Sequence, residues 1–494
     1  MTKIERNAKK CSTETYDVII VGGGIYGVML SYEAARRNLR SLMLEKDDLW
    51  GATSLNHLRT VHGGLRYLQS LDIPRFMESV AERRWFLQYF PQYINIMPCL
   101  MPLYNKGLHR RIVMWAALTM NDTLSFNRNR RVKKERHLPR GRIVSPQTTR
   151  EIFPGVDDNG LKGSAVWYDA NVQEYQRLMV DLVKIAAASG ASVLNYMNVK
   201  GLLTENGTAV GVRAEDGVSG ETYEFKGAKV INAAGPWSRD VASLFDKDHV
   251  SLFKKRLLLW NVLFDREALS DYSLALSPIK GGGHTYFFHP WKNRLLVGTG
   301  EVVVQQSPTE TEVPADEMDH FIKDMNIVVP GLNVSEKNIR RVYSGILPAN
   351  DNGRLSGREV IFDHSTNGGP NGLYSVSGVK FTTSRLVADK TLNRVFPDAE
   401  KMPHETVLER SERPNLSFGF DWEPATEEDF RLLKDIVQNE AVVHLDDLIL
   451  RRTSLGDNPE RAKKILPKIR HLFGWDDVKW QNEEEKLVRM LTSL

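Results

Sequence analysis

Residues 62–70, HGGLRYLQS, set three chemically capable side chains around two glycines. His62 can accept a proton near neutral pH, Arg66 can grip an anion through its guanidinium fork, and Tyr67 can orient a hydroxyl. Glycines with no proline or turn residue beside them mark backbone that something must approach closely. A second set stands earlier in the chain. Gly22, Gly24 and Gly27 fit G-x-G-x-x-G directly after an apolar run, and Glu45 follows about 18 residues beyond Gly27. In that pattern the backbone of Gly22, Gly24, Ile25, Tyr26 and Gly27 faces a pyrophosphate seated on a helix N-terminus, and Glu45 accepts the ribose hydroxyls. A 2′-phosphate would meet the Glu45 carboxylate, so NADP is disfavoured. The motif alone leaves FAD and NAD both open.

These residues need elements to hold them. Residues 16–21 form a β-branched run suited to a buried parallel strand. The following helix can bury Val28, Leu30, Ala34 and Ala35 before stopping at Asn38, and residues 40–44 supply a second strand. Lys380 lies among Val376, Gly378, Val379 and Phe381, an apolar setting that argues against a surface lysine. His284 and His289 stand five apart without a further ligand nearby. They read as strand residues of a sheet, with residues 291–294 as a hairpin turn, and no metal site is expected.

At 494 residues two or three domains are expected. A net charge of +4 is small for this length and argues against a nucleic-acid partner. Only Cys11 and Cys99 are present, which points to a reduced, cytoplasmic compartment. No apolar run follows the first lysines, and no stretch of 18 apolar residues exists, so neither a secretory signal nor a spanning helix is expected.

The stretch GATSLNHLRTVHGGLRYL, following the glycine fingerprint and Glu45, resembles the FAD-dependent glycerol-3-phosphate dehydrogenases. These belong to a wider group of flavin oxidoreductases that includes D-amino-acid and sarcosine oxidases. The similarity continues in VINAAGPWS, VYSGILPANDNG, LYSVSGVKFTTSR and HLDDLILRRTSLG. The resemblance implies FAD, held by Thr53 and Ser54 at the pyrophosphate, Val199 at the adenine, and Ala234, Gly235 and Trp237 beside the nucleotide. Around the isoalloxazine ring it implies His62, Gly63, Gly64, Gly345, Gly378, Val379, Lys380, Phe381 and Thr382. Arg66 and Tyr67 would then lie over the ring, where Arg66 holds the substrate anion. Lys380 would stabilise the reduced, anionic flavin, and His62 is a candidate base or covalent anchor.

The implied fold is α/β, α+β overall. A discontinuous Rossmann-like FAD-binding domain spans 15–105, 155–250 and 340–395, after a polar tail at 1–14. An antiparallel-sheet substrate domain covers 251–339, and a helical domain 400–494, where Thr426 caps the first of at least three helices. Residues 106–154 form a basic, amphipathic insertion suited to an anionic membrane surface. The resemblance implies a small-molecule substrate and quinone or another electron acceptor. It leaves open peripheral contact with the inner face of a membrane, and a homodimer.

Three positions depart from the family pattern. Leu347 replaces the arginine of a Y-S-G-x-R-P segment that helps hold a phosphate. Asn261, or Trp260 beside it, stands where a histidine is expected. Gly298, Thr299, Gly300 and Glu301 replace G-T-T-D, losing a hydroxyl. Removing one guanidinium from a buried anion site costs several kcal/mol, on the order of a hundredfold in affinity. The expected reaction is therefore hydride removal from a small anionic alcohol, glycerol 3-phosphate or a relative. Another hydroxy acid, amine or glycerol-linked sugar, and a catalytically silent flavoprotein, stay open.

Overall fold

In the computed structural model, which describes residues 2–104, 107, 110–246, 255–278, 284–304, 312–350, 352–355, 357–412 and 414–492, the strand Thr15–Val21 runs into the glycine turn and the helix Ile25–Ala35 leaves it. Val18, Ile19 and Ile20 are fully buried, because the strand has a parallel neighbour on each side. Every residue of the helix is buried, since the helices Tyr175–Ala188 and Ser384–Val395 pack against it. Glu33 is carried into this core and neutralised by Arg36, Arg37 and Arg385, at 2.9, 2.9 and 3.0 Å. Asn38 turns the chain with φ +53°, where the sequence places the stop. The strand Ser41–Leu44 then returns parallel to the first.

The first sheet runs Val360–Asp363, Leu373–Ser377, Thr222–Asn232, Thr15–Val21, Ser41–Leu44, Ser192–Leu194, parallel except at its first pair. An antiparallel extension, Met197–Glu205 with Thr208–Asp216, hangs from Thr222–Asn232. This is the Rossmann-type α/β domain expected from the glycine pattern.

The second sheet is mainly antiparallel and larger than residues 251–339 allow. Its order is Ile339–Ala349, Lys255–Phe264, Arg294–Val304, Tyr286–Trp291, Ser273–Leu276, Ile94–Pro102, Ser164–Val172, Thr60–Val61, with Arg142–Val144 on Ser164–Val172. The strands Ile94–Pro102, Ser164–Val172 and Ile339–Ala349 were expected in the dinucleotide domain but pair here. Ile346 and Leu347, for example, lie opposite Leu258 and Leu257 in antiparallel register. Lys292 and Asn293, both at positive φ, form the expected hairpin turn. The helix Ala315–Val328 buries Met318, Phe321, Ile322 and Met325 against this sheet.

The C-terminal part contains the helices Glu427–Asn439, Pro459–Ile469 and Asp477–Thr492. Thr426 caps the first: its hydroxyl accepts the Asp429 N–H at 3.2 Å while the Asp429 carboxylate accepts the Thr426 N–H at 2.8 Å.

Residues 2–14 are not a loose polar tail. Ile4, Ala8 and Cys11 are buried, the Ile4 N–H donates to the Asn439 carbonyl at 2.9 Å, and Arg6 pairs with Asp216. The apolar residues among the polar ones form a stripe that the neighbouring surface covers. Cys11 and Cys99 are both free and buried. In the insertion, the helix Arg111–Leu124 buries Met114 and Leu118. It exposes Ile112, Trp115 and, just beyond it, Phe126, along an open groove of about 1040 Å³ that also carries Arg140 and Arg142. Among the described residues no helix is long and apolar enough to cross a membrane.

Candidate active site

At the nucleotide end the glycines interlock. Gly22 holds φ +110°, and a Cβ there would press on the Ala233 carbonyl; a Cβ on Gly27 would run into the carbonyl oxygen of Gly22. Gly24 is the N-cap of the helix Ile25–Ala35 and carries no side-chain cap. An uncapped helix N-terminus framed by glycines is the donor set a diphosphate takes, so the residues fit the pyrophosphate of FAD. The Ile25 N–H, expected to face the pyrophosphate, is instead taken by Ser54 Oγ at 2.9 Å, which sets that hydroxyl beside the turn. Glu45 closes the turn itself: its carboxylate accepts the Gly23 N–H at 2.6 Å and the Asp47 N–H at 3.0 Å. Burial pushes its pKa up, and its remaining lone pairs are free to accept ribose hydroxyls.

Other expected contacts are occupied by protein. Thr53 Oγ1 donates to the Ile346 carbonyl at 2.7 Å and accepts the Ile346 N–H at 3.0 Å, clamping the second sheet onto the turn. A Cβ on Gly345 would crowd Thr53, whose atoms come within 3.0 Å of that position. Val199 is buried opposite Ala214. Gly235 has φ +58° with nothing within 4 Å of a Cβ position, next to Ala234 and to Trp237, which is half-buried against the second core.

The two glycines of HGGLRYL have a neighbour that sequence reasoning missed. A Cβ on Gly63 would enter the Arg83 guanidinium, and one on Gly64, at φ +82°, would press on Ser79. Arg83 is buried, pairs with Asp169 at 2.6 Å, and Asp169 also accepts the Gly63 N–H at 2.5 Å. What approaches this backbone from behind is a salt bridge of the protein. The signal was an arginine on the buried face of the next helix, Ile73–Tyr89.

In front of the glycines stand the candidate reacting groups. The His62 N–H is fixed by Thr382 Oγ1 at 3.0 Å, and the residue is exposed to solvent. Desolvation by the surrounding protein pulls the imidazole below its ordinary pKa; Asp169 opposes that, and Lys380 adds to it. Tyr26 positions the lysine loop: its hydroxyl donates to the Lys380 carbonyl at 3.1 Å, and Gly378 is glycine because that hydroxyl fills the Cβ position. Val379 follows in the same loop. Phe381 stacks on His57, centroids 4.8 Å apart, and on Phe86 at 5.3 Å.

Lys380 Nζ lies 4.1 Å from the centroid of the Tyr67 ring. Burial, and next the Arg75 guanidinium, bring its pKa down to about 8. Arg75 Cζ lies 4.5 Å from the same centroid. Burial raises the Tyr67 pKa, with Arg75 and Arg66 opposing. Arg66 is exposed and makes no hydrogen bond or ion pair among the described residues.

Asn261 is turned to structural work. Its side chain donates to the Asn56 carbonyl at 3.2 Å and accepts from Thr299 Oγ1 at 3.1 Å, and Gly298 leaves room for it. Gly300 leaves room in the same way for the indole of Trp260, which accounts for the hydroxyl missing from this segment. His289 is buried, its pKa lowered by burial to about 4, and contacts Asn171 at 3.3 Å. His284 is exposed ahead of that strand, and no group of metal-binding side chains forms among the described residues.

Behind the nucleotide end, Asp48 receives both guanidinium nitrogens of Arg452, at 2.7 and 2.8 Å, and Arg451 Nε at 2.6 Å. Burial works against the charged form of Asp48, but the two arginines hold its pKa well below the usual carboxylate range. Tyr196 donates to Asp447 at 2.5 Å; burial, and then Asp48, push the pKa of Asp447 up to about 6.

Residues 17–393 match the family model described as FAD dependent oxidoreductase. The chain is 31% identical over 405 residues to a glycerol-3-phosphate dehydrogenase of Synechocystis sp., covering 79% of this chain and 72% of that one. It is 25% identical to the mitochondrial glycerol-3-phosphate dehydrogenase of Bos taurus, covering 97% and 74%. Its fold matches the glycerol-3-phosphate dehydrogenase from Bacillus halodurans complexed with FAD, with a TM-score of 0.72, 18% identity, and 98% and 96% of the two chains covered.

Proposed function

The chain belongs to the FAD-dependent oxidoreductase family, and on that premise we propose that it oxidises a small anionic alcohol, glycerol 3-phosphate first, and passes the electrons to quinone. The observation that carries this reading is Lys380 set over the Tyr67 ring, with its charge and that of the unpaired Arg66 both felt by the His62 imidazole. FAD, when bound, supplies the hydride acceptor. Everything else falls to side chains. Gly22, Gly24 and Gly27 present the helix N-terminus to the pyrophosphate, and Ser54 adds a hydroxyl. Arg66 and Lys380 neutralise the substrate anion, and Tyr67 orients the alcohol. His62, neutral near pH 7 because its pKa is lowered, is ready to take the hydroxyl proton. Once protonated it stands near the Lys380 charge, so the proton passes on to the solvent to which His62 is exposed.

Two observations keep other substrates in the test. Leu347 brings no guanidinium, and Asn261 and Gly300 are committed to packing. Anaerobic mixing of the purified holoenzyme with a panel of substrates, followed at the long-wavelength flavin band, separates the readings. Bleaching by glycerol 3-phosphate below millimolar concentration supports the first; bleaching only by another hydroxy acid, an amine or a glycerol-linked sugar replaces it. No bleaching by the whole panel leaves a silent flavoprotein. For the quinone, the exposed Trp115 and Phe126 beside Arg111, Arg140 and Arg142 support docking on an anionic, cytoplasmic-side membrane surface. Co-sedimentation with anionic but not neutral vesicles is the expected result.

A further inference from the structure

Two cations lie over the Tyr67 ring, Lys380 and Arg75, and Arg66 is its neighbour in the chain; the family pattern accounts for Lys380 and Arg66. Arg75 stands in the first turn of the helix Ile73–Tyr89. Its nearest carboxylate, Asp72, is engaged as the N-cap, accepting the Arg75 backbone N–H at 3.3 Å. The other Asp72 oxygen lies 3.7 Å from Arg75 Nη1, beyond hydrogen-bond length. Arg358 draws on the same carboxylate, at 3.8 Å. The remaining acids on this side, Glu78 and Glu359, are both held by Lys390 Nζ at 2.7 Å. Arg75 therefore shares the Tyr67 ring with Lys380, and its fork makes no hydrogen bond to a carboxylate among the described residues, Asp72 standing at 3.7 Å. Like charges gathered around one phenol, with the local acids taken, make a place for an external anion.

We propose that Arg75 is the second guanidinium of the substrate-anion site, supplying from a helix what Leu347 does not supply from the strand Ile339–Ala349. With Arg66 and Lys380 it gives the site three positive groups, which fits a dianionic phosphate monoester better than a monoanionic carboxylate. The proposal rests on the reading of Arg66 and Lys380 as the grip on the substrate anion.

The test uses the holoenzyme and inorganic phosphate as probe, with its dissociation constant read calorimetrically and as a competitor of turnover. Arg75→Gln is expected to weaken phosphate about 30-fold and raise KM for glycerol 3-phosphate similarly, with kcat changed less than threefold. Arg75→Lys should recover part of the loss, and the melting temperature of both variants should match the parent. Phosphate affinity within twofold of the parent in Arg75→Gln would overturn the proposal and reduce Arg75 to a stacking partner of Tyr67. Arg66→Gln separates the two levels. If it weakens phosphate while Arg75→Gln does not, only this inference fails; if neither does, the anion site itself is elsewhere.

Discussion

The two ends of the cofactor cleft are built on opposite electrostatic plans. At the nucleotide end, buried charges are matched: Asp48 lies between Arg451 and Arg452, Glu33 among three arginines, and the glycines fit one another and the backbone beside them. At the proposed substrate end, Arg75 and Lys380 share the Tyr67 ring beside Arg66, and the closest carboxylate to Arg75, Asp72, stands at 3.7 Å, beyond hydrogen-bond length. A matched cluster gains nothing from a new ion, and its loss is felt as instability. An unmatched cluster holds latent affinity, and its loss is felt in binding and pH dependence.

The strongest way to break this contrast is at the glycines. Gly27→Val drives a side chain into the Gly22 carbonyl, and the purified protein should carry no flavin absorbance; normal flavin content would refute the interlock. Next in size is Asp48→Asn, which strands two buried guanidinium groups and should cost about 3–5 kcal/mol in denaturant unfolding of the holoenzyme. Across the cleft, Lys380→Met should leave that unfolding midpoint in place yet lower kcat/KM by about 1.5–3 kcal/mol, roughly ten- to a hundredfold. A shift in stability larger than in kcat/KM would erase the distinction.

Smaller still is a pH effect. Folding lowers the Lys380 pKa from its ordinary 10.5 to about 8, so the side chain is charged below pH 8 and loses its charge above. Affinity for the anion, and kcat/KM with it, should fall as pH rises through about 8, and Lys380→Arg should flatten that fall. The smallest effect expected is from Leu347→Arg. With Arg75 already present, it should improve kcat/KM for glycerol 3-phosphate by about threefold or less.

The nucleotide turn was legible in the sequence because its determinants are local. Strand, glycine spacing, helix and Glu45 fall within one βαβ unit, and the structure builds it so. Thr426 and the hairpin before Arg294 were legible for the same reason. The Asp48–Arg452 pair was not, since its members lie 404 residues apart and only the fold brings them together. Gly63 shows a subtler failure. Its need for close approach was read correctly, but a glycine does not tell from which side the neighbour comes, and Arg83 occupies the rear. Sheet membership failed at the strand Ile339–Ala349, whose apolar residues suit either sheet until a partner register is chosen.

The bond from Arg452 back to Asp48 has a consequence for biosynthesis. Asp48 is made 404 residues before Arg452, so a carboxylate buried in the fold waits through most of that span for the arginines that neutralise it. Ile4 likewise waits for Asn439, and Arg177 and Lys184 for Glu440. Until residues 440–452 are made these charged groups lack their partners, so a ribosome stalled before residue 440 would present buried charges unpaired, on a fold that chaperones must hold and proteases can reach.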